Sequence, residues 1–134
     1  MKGTFRVPVR VFSLADPSVG RELDMLVDTG ATQSIVPREV LEALHVPVDR
    51  RQKFPRANGE RIDRDVGWVR FRCQERTTPT QAVFGEPQDG VVLGRITLHE
   101  LGLEVDPTTE TLSEAEAYMY RFAGHNLRAS LGSE

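Results

Sequence analysis

The stretch that decides the fold is Leu26-Val27-Asp28-Thr29-Gly30-Ala31-Thr32, in which an apolar run delivers one acidic residue into a glycine turn. An ionised carboxylate is costly to bury without partners, so the position of Asp28 needs an explanation. One explanation is purely structural, because Asp-Thr-Gly is also common turn chemistry. The sequence on either side of this stretch decides between a structural and a chemical role.

Upstream of Asp28 the pattern predicts two strands. Apolar and polar residues alternate over residues 5–11, the two-residue period of a half-buried strand. Residues 22–27 begin as an alternating strand and become continuously apolar just before Asp28. Downstream, the pattern predicts a short strand at residues 34–36 and a short helix at residues 37–44 with proline at its first position.

The rest of the chain predicts further short strands. Asn58-Gly59 indicates a type I′ turn in a hairpin over residues 52–73. Short strands are expected at residues 81–84, 91–94, 103–107 and 111–112, with a short helix at residues 96–101. Ser113 with Glu116 has the form of a capping box, which predicts a helix leading into residues 117–122. We therefore expect one domain over residues 1–112 and a C-terminal extension, a short helix and tail, over residues 113–134.

These elements favour a mostly β barrel or sandwich. The stretches between the strands are too short for repeated crossover helices, which disfavours a parallel α/β architecture. The chain has 134 residues, of which 39% are hydrophobic and 28% charged, as expected for one compact domain.

Composition also excludes several classes of protein and site. No apolar run approaches the roughly 20 residues that span a bilayer, and the N-terminus does not have the form of a signal peptide, so we expect a cytoplasmic protein with no membrane partner. The single Cys73 excludes an internal disulfide and is expected to pack in a strand. The histidines His45, His99 and His125 lack metal-ligand spacing and are interpreted as surface or capping residues, with no metal site.

Basic residues concentrate in the middle of the chain. Residues 50–76 contain nine Arg or Lys against four Asp or Glu, but the charges alternate and lack interleaved aromatics, so no nucleic-acid partner is expected. Arg56, Arg61 and Arg64 could favour acidic peptides if they faced a cleft, but a solvated outer face is favoured.

Several motifs together resemble the retropepsin-like family of single-domain aspartic proteases. An apolar pair precedes Asp-Thr-Gly-Ala at residues 26–31, Asn58-Gly59 resembles a flap tip, and Val92-Leu93-Gly94 resembles the strand that runs under the catalytic loop. Gly94-Arg95 is similar to the Gly-Arg step of the retroviral enzymes. The order agrees over residues 5–112. The resemblance implies a closed acid-protease β-barrel with a flap hairpin and one or two short helices.

The resemblance also implies a function. The chain would be an aspartic endopeptidase that acts on peptides or proteins without metal or cofactor, using a water activated between two Asp28 carboxylates. Two such groups cannot both carry charge at close range, so one acts as acid and the other as base. Thr29 would bridge the two loops, and Gly30 would let backbone approach the carboxylate. The residues implied to contact substrate are Ala31, Ala57, Asn58, Gly59, Val92 and Leu93.

Counting carboxylates predicts a symmetric homodimer. The chain has one Asp-Thr-Gly, at Asp28, and is too short for the two barrels of a pepsin-like monomer, so a second copy must supply the other acid. Two alternatives remain: a catalytically silent module of the same fold for dimerisation or peptide binding, and an aspartyl-phosphate phosphotransferase, which lacks phosphate-cradling residues here.

The sequence also departs from the retroviral pattern. Thr32 stands where an Asp usually pairs with the Arg of the Gly-Arg step, so Arg95 must find another partner or face solvent. The proposed flap is poor in glycine, with only Gly59 near its tip. For Trp68 a core position is favoured over contact with substrate.

Overall fold

The computed structural model describes residues 5–116 of the chain. These residues are mostly β, as predicted. The strands are β1 (Phe5–Phe12), β2 (Gly20–Val27), β3 (Ser34–Pro37), β4 (Val48–Pro55), β5 (Arg61–Cys73), β6 (Arg76–Gly85), β7 (Val92–Leu93), β8 (Leu103–Asp106) and β9 (Thr111–Glu114). The helices are α1 (Arg38–Ala43), α2 (Arg95–Leu101) and a single 3-10 turn (Pro87–Asp89).

Six of the strands form a closed ring. The main sheet has the order β1-β2-β7-β3-β6-β5-β4, and an additional pairing of β1 with β5 closes it, leaving β4 outside the ring on β5. Strands β8 and β9 form a separate two-stranded sheet. The predicted mostly β fold is therefore confirmed, with the closure made by residues 10–12 pairing with residues 70–72.

The core follows from strand alternation. In β5 the side chains of Val69, Phe71 and Cys73 point into the ring and are buried, which confirms the packing role expected for Cys73. Burial raises the pKa of the Cys73 thiol. Helices α1 and α2 add Leu41 and Leu98 to the same core. None of the helices in the described residues is long and apolar enough to cross a membrane.

The turns at the two ends of β5 differ in backbone conformation from what the sequence pattern indicates. The type I′ turn predicted at Asn58-Gly59 is wrong, because only Gly59 has positive φ, at 90°, and a type I′ turn needs two such residues. The Gly59 N–H donates to the Arg56 carbonyl at 2.9 Å, closing a four-residue turn. The paired positive φ values occur instead at Gln74 and Glu75, between β5 and β6.

Other sequence predictions also need correction. Pro37 ends β3 and precedes α1 instead of opening it. Ser113 and Glu114 belong to β9, because they pair with β8, and Ala115 and Glu116 are not helical, so no helix starts there; residues 117–122 of that prediction lie outside the described residues. Trp68 is 44% exposed on the outer face of β5, so the favoured core position is wrong.

Candidate active site

Asp28 is delivered by a strand held on both sides. Strand β2 lies between β1 and β7 in the sheet. The Leu26 N–H donates to the Val91 carbonyl at 2.9 Å, and the Asp28 N–H donates to the Leu93 carbonyl at 3.1 Å. Val27 is fully buried, and Asp28 itself is partly exposed. The apolar run therefore anchors the backbone in the core and leaves the carboxylate at the protein surface.

The turn after β2 fixes one carboxylate oxygen of Asp28. The Gly30 N–H donates to Asp28 Oδ1 at 2.9 Å, and the Ala31 N–H donates to the Asp28 carbonyl at 3.1 Å. A Cβ at Gly30 would lie 3.2 Å from Oδ1, so glycine permits this close approach. Within the described chain the second oxygen, Oδ2, has no hydrogen-bond partner.

The start of α2 supports the same turn from the other side. The Arg95 N–H donates to the Ala31 carbonyl at 2.8 Å, and the Ile96 N–H donates to the Thr32 carbonyl at 3.0 Å. These bonds use the first amides of the helix, which have no partner inside it. The Arg95 side chain is exposed and makes no ion pair with any described residue, in line with the solvent-facing alternative.

A buried pair of hydroxyls ties β3, β7 and α2 together behind the turn. Ser34 Oγ lies 2.5 Å from Thr97 Oγ1 and accepts the Gly94 N–H at 2.9 Å. Ser34 and Thr97 are 0% and 1% exposed. A Cβ at Gly94 would lie 2.6 Å from the Gln33 backbone, so only glycine fits there without a shift. Gly94 was predicted from the sequence and the two hydroxyls were not, because the sequence pattern gives no sign that a Ser or Thr is buried.

A cleft of about 450 Å³ opens beside the turn. One wall is the segment that follows Asp28, including Ala31, and the facing wall is the end of the β4–β5 hairpin. The lining residues are Gly30, Ala31, Thr32, Gln33, Ile35, Phe54, Pro55, Arg56, Ile62, Arg64, Val83, Gln88 and Asp89.

The other residues predicted to contact substrate lie at two places. Ala57, Asn58 and Gly59 are exposed at the tip of the β4–β5 hairpin and do not line the cleft. Val92 is 8% exposed and Leu93 is fully buried in the core. The Leu93 side chain is therefore unavailable to a substrate, and its part in the site is the carbonyl that holds the Asp28 N–H.

Ion pairs that were not predicted from the sequence attach the β4–β5 hairpin to the rest of the chain. Arg64 holds both Asp89 oxygens, with Nε to Oδ2 at 2.6 Å and Nη2 to Oδ1 at 2.9 Å. Arg38 of α1 contacts Asp65 at 2.8 Å and Glu86 at 3.1 Å. Hydrogen bonds from Arg64 and Arg38 lower the pKa of Asp89 and of Asp65, respectively.

The histidines of the described residues do not line this cleft. His45 and His99 are exposed, as expected, and His125 lies outside the described residues. Over residues 5–116 no group of three or more His, Cys, Asp or Glu side chains could hold a metal ion.

Comparison with known proteins identifies the family. The family described as gag-polyprotein putative aspartyl protease matches residues 19–100, which include the Asp28 turn, the β4–β5 hairpin and Gly94. The chain belongs to this family of aspartyl proteases. No curated protein matches the sequence.

The fold of this aspartyl protease family member is also found in a retroviral enzyme. The solution structure of simian foamy virus (mac) protease matches with a TM-score of 0.51, covering 71% of this chain and 92% of that chain. The two sequences are 19% identical, so the match establishes a common fold.

Proposed function

We propose that the protein is an aspartic endopeptidase that hydrolyses peptide bonds as a symmetric homodimer. The observation that carries the proposal is the state of Asp28, which is partly exposed beside a cleft, with Oδ1 held by the Gly30 N–H and Oδ2 free. Asp16 and Asp106 cap exposed turns with the same one-oxygen contact, so what distinguishes Asp28 is its place at the end of a strand paired on both sides and beside a cleft. A carboxylate held by one oxygen is oriented and still able to exchange a proton.

Two such carboxylates would divide the chemistry between them. At close range the pair shares one proton, so one Asp28 is a base and its copy in the second subunit is an acid. The base takes a proton from water, which attacks the carbonyl carbon of the peptide bond, and the acid donates a hydrogen bond to the carbonyl oxygen. The C–N bond then breaks, and the amine leaves with the proton that was taken from water. Exposed Thr29 lies beside Asp28, where it could bridge to the second subunit.

The rest of the site positions the peptide. The cleft beside Ala31 would receive side chains of the substrate, and the β4–β5 hairpin would close over the peptide as a flap with Ala57, Asn58 and Gly59 at its tip. Closure would exclude water from the pair of carboxylates, which strengthens hydrogen bonds to the developing negative charge.

A mixing experiment tests the shared site. Asp28→Asn keeps the shape of the side chain and an oxygen for the Gly30 N–H but loses the base, so cleavage of a peptide mixture should fall at least about 1,000-fold with no loss of thermal stability. Asp24→Asn changes an exposed carboxylate on the same strand and serves as the matched control. Excess Asp28→Asn chain should suppress wild-type activity by forming subunit pairs with one acid.

Dilution supplies the second arm of the test. Specific activity should fall as the protein is diluted below its dimer dissociation constant. A monomer in sedimentation whose specific activity is independent of concentration would contradict the shared site. Peptide binding with no cleavage at any concentration would instead identify a silent binding module of the same fold.

A further inference from the structure

The cleft beside the Asp28 turn contains three charged residues, of which two neutralise each other. Asp89 accepts two hydrogen bonds from Arg64 and a third from the Glu86 N–H, at 2.7 Å to Oδ2. Its side chain is 8% exposed and that of Arg64 is 11% exposed. This carboxylate is therefore committed to the protein and cannot recognise a basic group on a ligand.

Arg56 is the third charge, and it is not neutralised in the same way. Its side chain is 40% exposed, and its one contact with a described acidic residue is Nη2 to Asp89 Oδ1 at 3.9 Å, which is too long for a hydrogen bond. The planar guanidinium has five N–H donors that fit a carboxylate in pairs. The cleft thus has one spare positive charge, although the sequence favoured a solvated outer face for Arg56.

The surface next to Arg56 is apolar. Ile35, Phe54, Ile62 and Val83 line the same cleft and are half-buried or buried, so they offer contact area for aliphatic or aromatic side chains. A ligand that fits this cleft combines apolar groups with one negative charge within reach of Arg56.

We propose that Arg56 is a specificity-determining residue that selects peptides with an Asp or Glu side chain next to apolar residues. The inference rests on the proposed peptidase function, because it concerns the substrate of the same cleft. A neutral amide would receive weaker hydrogen bonds than a carboxylate, and a Lys side chain would be repelled by the spare charge.

The test uses random octapeptide pools in which one position is fixed. For each of the positions there are three pools, identical except that the fixed residue is Glu, Gln or Lys. Cleavage by the wild-type chain is measured for each pool, and binding of each pool to Asp28→Asn is measured separately. At one position we expect the Glu pool to exceed the Gln pool by about tenfold, the size of one charge-assisted hydrogen bond, with the Lys pool lowest. The Glu-to-Gln ratio should shrink at high salt.

Two variants attribute the preference to one side chain. Arg56→Gln should bring the Glu-to-Gln ratio to about one, and Arg56→Glu should make Lys the preferred residue. Arg61→Gln is the matched control, because Arg61 is exposed on the same hairpin and does not line the cleft. It should keep the preference for Glu.

The outcomes separate this inference from the proposed function. Equal values for Glu and Gln pools at every position, or a Glu preference that survives Arg56→Gln, would overturn the inference and leave cleavage standing. Preferential binding of Glu pools without any cleavage would support the inference and refute the peptidase. Neither cleavage nor binding in any pool would refute both.

Discussion

The hydroxyl pair behind the Asp28 turn predicts that a second substitution will restore part of the stability lost through the first. In Ser34→Ala, both the Gly94 N–H and the Thr97 hydroxyl lose their partner inside the core. Each unsatisfied buried group costs about 1–3 kcal/mol, so we expect the two groups together to lower the free energy of unfolding by about 2–6 kcal/mol. In Thr97→Val, Ser34 Oγ still accepts the Gly94 N–H, and the expected loss is about 1 kcal/mol.

The double variant should therefore be more stable than Ser34→Ala alone. Adding Thr97→Val removes the hydroxyl that Ser34→Ala leaves unpaired, and this should recover about 1 kcal/mol. Urea unfolding of the four chains at one fixed protein concentration measures the effect. Thr109→Val is the control: its hydroxyl partner, Thr111 Oγ1 at 2.7 Å, is exposed, so the change should stay within about 0.5 kcal/mol.

Additive losses in the double variant would refute this reasoning, because independent sites add and coupled ones do not. A larger loss for Thr97→Val than for Ser34→Ala would also refute it, since Ser34 would then not be the shared partner of the two groups.

Two further predictions concern backbone space and pH. Gly94→Ala places a Cβ 2.6 Å from the Gln33 backbone, so unfolding measurements should show a loss of about 1–3 kcal/mol together with reduced cleavage. Gly59→Ala, with no atom within 4 Å but φ at 90°, should cost about 1–2 kcal/mol from backbone strain alone; a Gly94→Ala chain as stable as wild type would contradict the predicted clash at Gly94. The Arg64 hydrogen bonds lower the pKa of Asp89, so the stability they add is present above the ordinary Asp pKa and is lost as pH falls through the lowered one. Between neutral pH and below about pH 4, the melting temperature should therefore fall less steeply in Asp89→Asn than in wild type. Parallel curves of melting temperature against pH would contradict this linkage.

Local patterns were enough to predict the class of fold and the position of Asp28. Alternation over residues 5–11 and the apolar run before Asp28 reflect burial, which each strand carries in its own two-residue period. The order of Asp-Thr-Gly, hairpin and Val92-Leu93-Gly94 was also readable, because each motif is a few residues long.

The types of the turns and the surroundings of the side chains were harder to predict from the sequence. Asn58-Gly59 is a strong local signal for a type I′ turn, yet the bonds of Arg56 with Gly59 and Glu60 produce a different loop. The turn at Gln74-Glu75 has the two positive φ values without a favourable residue, because the long pairing of β5 with β6 determines it. Trp68 alternates with core residues on β5 and therefore faces outward.

Only the tertiary structure determined which distant residues share the site. Ser34 and Thr97 are 63 residues apart in the chain, and Arg64 and Asp89 are 25 apart. Their contacts depend on closure of the six-stranded ring and on the way the β4–β5 hairpin packs against the 3-10 turn. A sequence pattern records the periodicity of burial within one element, whereas the pairing of charges and hydroxyls depends on how separate elements meet.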